Sequence, residues 1–307
     1  MVENTDTMSA PIVVGVDGSE RSHDAVVLAA RLAESGQDLL LVHVHAYGRL
    51  SNLLSGGEQE QLVRDVAEST AMVVLGTLEP STRRSMRLVS NRSPAAGLQA
   101  MAAEVGAPLI VVGSSHRAGL GRVMPGSVAE SVLTEAPAAV AVAPKGYARS
   151  EGSLRSIGCG FDDSPESHEA LGWAASFARR RDARLVAFAI HTPLAFGGLS
   201  TTGATGYQSA NEVLRDQLGR RTLRAVSSLG SAVQIGHRLL DGDPAVELAR
   251  ASAGLDVLVV GSRGYGAVRT VLLGSVAREL VRTSACPVVV VPRGGAQVRG
   301  SDRAAEA

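Results

Sequence analysis

Two stretches of this chain carry a residue pattern able to hold an anion. Residues 111–132 read VVGSSHRAGLGRVMPGSVAESV and residues 259–280 read VVGSRGYGAVRTVLLGSVAREL. Each is an apolar strand entering a Gly/Ser loop, followed by a Gly-Ser step that opens a helix. Glycines free backbone N–H groups, and a helix N-terminus adds a partial positive charge, so the combination suits a phosphate. Its double occurrence implies two similar domains and two candidate nucleotide sites.

The duplication extends beyond these loops. GVDGSERSHDAVVLAARLAE, from Gly15, aligns with GFDDSPESHEALGWAASFAR, from Gly160. Asp17 then pairs with Asp162, Ser19 with Ser164, Ser22 with Ser167 and His23 with His168, at an offset of 145 residues; at the second block the offset is 148. A period this long indicates a duplicated domain, since solenoid units run to about 20–50 residues. A chain of 307 residues has room for two such domains.

The elements that must position these residues alternate between strand and helix. In the first half strands are expected at 11–17, 38–46, 85–90, 108–113 and 138–144, as short, continuously apolar runs. Helices are expected at 20–34, about 58–77, from Pro94, and from Ser127 to Thr134, with a Gly/Ser-rich loop at 48–57. The second half repeats the series: strands SIGCGF, RLVAFAI, QIGHRLL, DVLVVG and PVVVVP, with helices near 166–180, 210–229, 244–253 and 275–283. Continuous apolar strands joined by crossover helices give a parallel sheet covered on both faces. The stretch 196–210 has the composition of a loop, either a lid or a tolerated excursion.

Ligands of open parallel sheets lie at the carboxyl ends of strands, where strand order reverses. The repeated features converge there: Asp17 and Asp162 after the first strands, the Gly/Ser loops after the fourth. Such an aspartate could accept hydrogen bonds from an adenine amino group or a ribose hydroxyl, or could cap the next helix. Capping accounts well for Ser19 and Ser164 and less well for the aspartates.

Composition narrows the classes. Acidic and basic residues balance at 30 each, so no basic field argues for nucleic acid. The arginine runs at 179–184 and 220–224 read as solvated helix faces. Cys159 and Cys286 form no metal-ligand spacing, and Cys159 belongs in a strand core. No apolar run reaches the roughly 20 residues of a membrane span, and the N-terminus lacks a signal-peptide core; a cytoplasmic protein is expected. GRVMPGS at 121–127 lacks the lysine of a phosphate-loop ATPase, and no G-x-G-x-x-G follows a first strand. HExxH and G-x-S-x-G are also missing.

The pattern G-x2-G-x9-G-[ST] after a strand, with VDGS after the first strand, resembles the universal stress protein family in its tandem two-domain form. The resemblance covers about 11–144 and 155–292. It implies two Rossmann-like domains of the adenine nucleotide alpha hydrolase type, each a five-stranded, mainly parallel sheet with helices on both faces: residues 11–147 and 148–293, between disordered tails 1–10 and 294–307. It implies ATP as ligand, with Mg²⁺ reached through the phosphates. The second site would use Asp162, Ala189, Gly261, Arg263, Gly264, Gly274, Ser275 and Val276; the first would use Asp17, Val44, Gly113, Ser115, His116, Gly126, Ser127 and Val128. The first half departs from the pattern at His116, where the second has Gly264. A side chain there could crowd the ribose and phosphates, contact a phosphate, or be an exposed loop histidine. Asp163 replaces Gly18, adding a carboxylate that would weaken phosphate binding unless Mg²⁺ or Arg263 offsets it.

The last strands, 138–144 and 287–292, are expected to pair antiparallel within the chain, because an exposed apolar edge invites aggregation; the chain is then a pseudo-dimer able to form a homodimer. The resemblance implies a nucleotide-dependent regulator of stress response or dormancy. The alternatives are a slow ATPase or nucleotidyl-transfer enzyme of the same superfamily, and a scaffold or chaperone-like protein with vestigial sites.

Overall fold

The structure, a computed structural model, describes residues 10–46, 57, 61, 64–65, 78, 82–114, 127–134, 136–193, 201–230, 234–262 and 274–293. The expected 48–57 loop and 58–77 helix lie almost wholly outside these residues, as do the tails; Gly57, Gln61, Arg64 and Asp65 are helical.

Ten strands form one sheet in the order β3-β2-β1-β4-β5-β10-β9-β6-β7-β8. In the first half they are β1 (Ile12–Gly15), β2 (Leu39–Ala46), β3 (Arg84–Asn91), β4 (Leu109–Gly113) and β5 (Ala139–Ala143). In the second they are β6 (Ser156–Phe161), β7 (Arg184–His191), β8 (Ile235–Asp241), β9 (Val257–Gly261) and β10 (Val288–Val291). Pairing is parallel within each half. Each half therefore has the order 3-2-1-4-5, which reverses between its first and fourth strands and opens a crevice at their carboxyl ends.

The seam between halves is the antiparallel pair β5–β10, with Val142 opposite Val288, Ala141 opposite Val289 and Val140 opposite Val290. Every residue of both strands is buried. Valine and alanine suit a strand covered on both faces. Because the seam is antiparallel, the carboxyl ends of the two halves point in opposite directions and the two crevices open on opposite edges of the sheet.

Helices cover both faces. On one lie α1 (Glu20–Leu32), α4 (Pro165–Arg181) and α5 (Thr201–Ser228); on the other α2 (Pro94–Val105), α3 (Ser127–Thr134), α6 (Pro244–Ser252) and α7 (Ser275–Thr283). Each apolar cluster runs across the seam, from Val14 through Ala141 and Val289 to Val259 on the first face. Proline starts α2, α4 and α6, where its missing N–H costs nothing. Cys159 and Cys286 are buried and unpaired, and burial pushes the Cys286 thiol up to about 12.

Two expectations need correction. Residues 201–210 are the first turns of α5, not loop; once a helix is nucleated, each added residue gains a hydrogen bond for one residue fixed, so even Gly and Thr are carried along. The arginines of α4 are not merely solvated: Arg180 pairs with Glu34 at 2.8 Å and Arg181 donates to the carbonyl of Ala33, so both reach into the first half. Arg31 donates to Ser150 at 2.9 Å, and Asp24 accepts from the amides of Gly146 and Ala148 at 2.8 Å, which binds the connecting segment to α1. No helix among the described residues is long and apolar enough to cross a membrane.

Candidate functional site

The second-half crevice is a cavity of about 280 Å³ between the carboxyl ends of β6 and β9 and the N-terminus of α7. Its walls include Asp162, Glu166, Ile190, Ser262 and the first turn of α7, Gly274 to Ala277. The α7 helix opens at Gly274 as N-cap, which has no side chain to satisfy the first amides, and its first turn carries no acidic residue. Those amides and the positive end of the helix dipole lie at the cavity wall with no capping side chain among the described residues. Ser262, the residue after β9, is 2% exposed and its hydroxyl has no hydrogen-bond partner among the described residues, a costly arrangement unless a ligand completes it.

Asp162 follows β6. Its carboxylate accepts from the amide of Ser164 at 3.1 Å and from the Ser164 hydroxyl at 2.5 Å, both at Oδ1, and Oδ2 has no donor among the described residues. The Ser164 hydroxyl also caps α4, accepting from the Ser167 amide at 3.2 Å. Gly261 ends β9 under the first turn of α4: a Cβ there would stand 2.6 Å from the carbonyl of Glu166. This glycine brings the strand end and helix start together, and so closes one side of the cavity.

The universal stress protein family matches residues 8–144 and again 153–292. The chain belongs to that family. A universal stress protein of Mycolicibacterium smegmatis is 29% identical over 288 residues, 91% of this chain and 96% of that one. Another, from Methanocaldococcus jannaschii, is 30% identical over 136 residues, 43% of this chain and 78% of its own length. The crystal structure of a universal stress protein from Archaeoglobus fulgidus superposes with a TM-score of 0.63 over 93% of this chain and 99% of that one, at 18% identity, which supports the shared fold.

The first half repeats this universal stress protein scaffold. Gly113 ends β4 against α1, where a Cβ would stand 2.5 Å from the Arg21 carbonyl oxygen. Ser114 is 2% exposed and its hydroxyl too lacks a partner. Ser127 opens α3, followed by half-buried Val128. Asp17 is held far more fully than Asp162: it accepts from the Ser19 amide at 3.1 Å, the Ser22 hydroxyl at 2.8 Å and the Arg21 guanidinium at 2.9 Å. Burial pushes its carboxyl up, but the Ser19 and Ser22 hydrogen bonds and the Arg21 charge outweigh that and leave it below the usual carboxylate range. The Ser19 side chain does not cap α1; its hydroxyl is turned to Asp17.

Among the anticipated residues, Asp162, Gly274, Ser275 and Val276 come together in the second cavity, with Gly261 beside them. Ser115, His116, Gly126, Arg263 and Gly264 lie outside the described residues. Ala189 is misplaced by one. Val42 is paired with Gly15, and Phe188 with Gly160, so the second strands correspond at 146 rather than 145. The counterpart of Val44 is Ile190, which packs on the α6–α7 face and lines the cavity, while Ala189 is 0% exposed and lies outside the cavity wall. One extra residue before β7 suffices, because a shift of one moves a strand side chain to the opposite face.

Asp163 is also reassigned. Its φ of +65° matches the +78° of Gly18, a left-handed position that aspartate tolerates better than most residues. Its carboxylate meets His168 at 3.0 Å and Arg221 at 3.2 Å and takes no part in the cavity wall. In the first half, glycine offers no such partner, and His23 Nε2 is buried without one. Ser114, Ser262 and Glu166 are not among the anticipated residues. The two serines repeat at the 148-residue offset directly after Gly113 and Gly261, a signal present in the sequence; the burial of Glu166 has no such signal.

Proposed function

We propose that this universal stress protein binds ATP in each half, residues 11–147 and 148–293, and acts as a nucleotide-dependent regulator of stress response or dormancy. The observation that carries the reading is the buried, partnerless hydroxyl of Ser262 beside the uncapped N-terminus of α7 in one cavity with Asp162. Asp162 and Ile190 would flank the adenine and ribose, and Ser262 with the Gly274–Ala277 amides would take the phosphates. Ser114 and the start of α3 would supply the corresponding phosphate-binding groups of the first half. Regulation requires that nucleotide bind two conformations with different affinity.

Two measurements test this. Denaturing freshly purified protein and identifying the released small molecules by mass spectrometry should give about two ATP per chain; no adenine nucleotide, with no thermal shift on adding ATP and Mg²⁺, would remove the reading. The substitution Gly274→Asp is a sharper probe. Gly274 has φ −61° and ψ 155°, an ordinary N-cap conformation, so an aspartate folds there, caps the α7 amides itself and repels a phosphate. At about 100 times its dissociation constant a ligand stabilises the folded state by roughly 2.7 kcal/mol per site. The variant should lose that increment for the second site.

A further inference from the structure

Glu166 has a setting that nucleotide binding alone does not explain. It stands in the first turn of α4, lines the second-half cavity and is 8% exposed. Among the described residues no hydrogen-bond donor reaches its carboxylate, and its ion pair is with the Arg293 guanidinium, 3.6 Å away. Its side chain is 11% exposed, so the carboxylate keeps a little contact with water, yet most of it is withdrawn from solvent with one distant cation to answer it. It also shares its cavity with the N-terminus of α7 and the Ser262 hydroxyl, the groups that would draw a phosphate toward it. In the duplicated first half the same position is Arg21, a cation.

A divalent cation reconciles these opposing preferences. Mg²⁺ is commonly held by one or two carboxylates together with substrate phosphates, and it would turn the repulsion between Glu166 and a phosphate into a shared bond. Resting on the nucleotide reading above, we infer that Glu166 is a protein ligand for a divalent cation that enters the second-half cavity with the nucleotide's phosphates, whereas the first half, with Arg21 in that place, takes its nucleotide without one. The remaining ligands would be phosphate oxygens and water, since Asp162 is placed on the adenine and ribose side of the same wall.

The test is a calorimetric titration of the full chain with ATP, once with excess Mg²⁺ and once with EDTA. Removing Mg²⁺ should weaken the second site by about tenfold or more, the equivalent of about 1.4 kcal/mol, and leave the first site unchanged. Glu166→Gln should abolish this difference, chiefly by tightening the metal-free complex, and Glu166→Asp should keep part of it. In Gly274→Asp, where only the first site remains, ATP should bind equally with Mg²⁺ and with EDTA. An independent readout is the electron paramagnetic resonance signal of Mn²⁺ in the presence of ATP. The immobilised fraction found with the wild-type chain should fall in Glu166→Gln. A wild-type chain indifferent to Mg²⁺, or a Glu166→Gln variant with the wild-type ratio, overturns the role of Glu166 and leaves nucleotide binding intact. If no ATP binds in either buffer, it is nucleotide binding itself that fails.

Discussion

The two halves share one scaffold but differ in charge where a phosphate would lie. In the first, Asp17 is engaged by Ser19, Ser22 and Arg21. In the second, Asp162 has only Ser164 among the described residues, and the position of Arg21 is Glu166. Farther along, Glu130 lies in the first turn of α3, whereas the matching turn of α7 has no acidic residue and Arg278 at that position. What duplication preserved is the aspartate after the first strand, the glycine at the end of the fourth, the orphaned serine hydroxyl and the helix N-terminus. What diverged is the charge around them, which governs how an anion is neutralised and not whether the chain folds.

The largest expected effect tests the shared part. Gly113→Ala and Gly261→Ala each place a Cβ within 2.6 Å of helix backbone, an atom that cannot swing aside. Each should destabilise the chain by about 1–3 kcal/mol, read as a lowered urea midpoint with the slope unchanged. If one half tolerates the methyl and the other does not, the scaffolds are not equivalent and the comparison of their charges loses its footing.

How far these features could be read from sequence follows the same division. Apolar runs such as AVAVA and VVVV announce strands buried on both faces, and Ser127–Thr134 and Ser275–Thr283 coincide with their expected bounds. The Gly-Ser steps announce helix starts because few other residues serve there. Depth is not written as plainly. Glu166 reads as an ordinary polar residue in a first helical turn, and only packing against Gly261 reveals that it is buried. Ala189 stands one residue short of the counterpart of Val44, because the offset between the halves grows from 145 to 146 before β7 and a single added residue reverses the faces. Asp163 reads as an intruder near an anion site; its partners, His168 and Arg221, come from α4 and α5, and the second is 58 residues away.

A smaller effect concerns acid. The Asp17 carboxyl is held below its ordinary value of about 3.9, so folding favours the ionised form. Its contribution to stability is complete above about pH 4 and is lost as pH falls through the lower native value. Arg21→Gln should reduce the loss of stability between about pH 5 and about pH 3, seen as urea midpoints that converge in acid. The Asp17 side chain is 56% exposed, so solvent screens the interaction and the change will be modest. An unaltered acid limb would mean that the arginine does not hold Asp17 in solution, and that the first site is less different from the second than its geometry indicates.

The smallest effect is the most discriminating. Asp163→Asn keeps a residue tolerant of the left-handed backbone at φ +65° and removes only the charge facing His168 and Arg221. Both ion pairs are substantially exposed, and such pairs contribute about 0–1 kcal/mol, so stability should change by less than about 0.5 kcal/mol. Second-site affinity for ATP, with and without Mg²⁺, should match the wild-type chain within error, because the lost carboxylate lies outside the cavity wall. Glu166→Gln removes one negative charge from a residue three positions further on, and there the Mg²⁺ dependence should disappear. The pair of variants thus separates charge inside the cavity from charge merely near it. If Asp163→Asn shifted the Mg²⁺ response as Glu166→Gln does, the second site would be sensing the net charge of the whole β6–α4 turn, and no single carboxylate could be assigned to the cation.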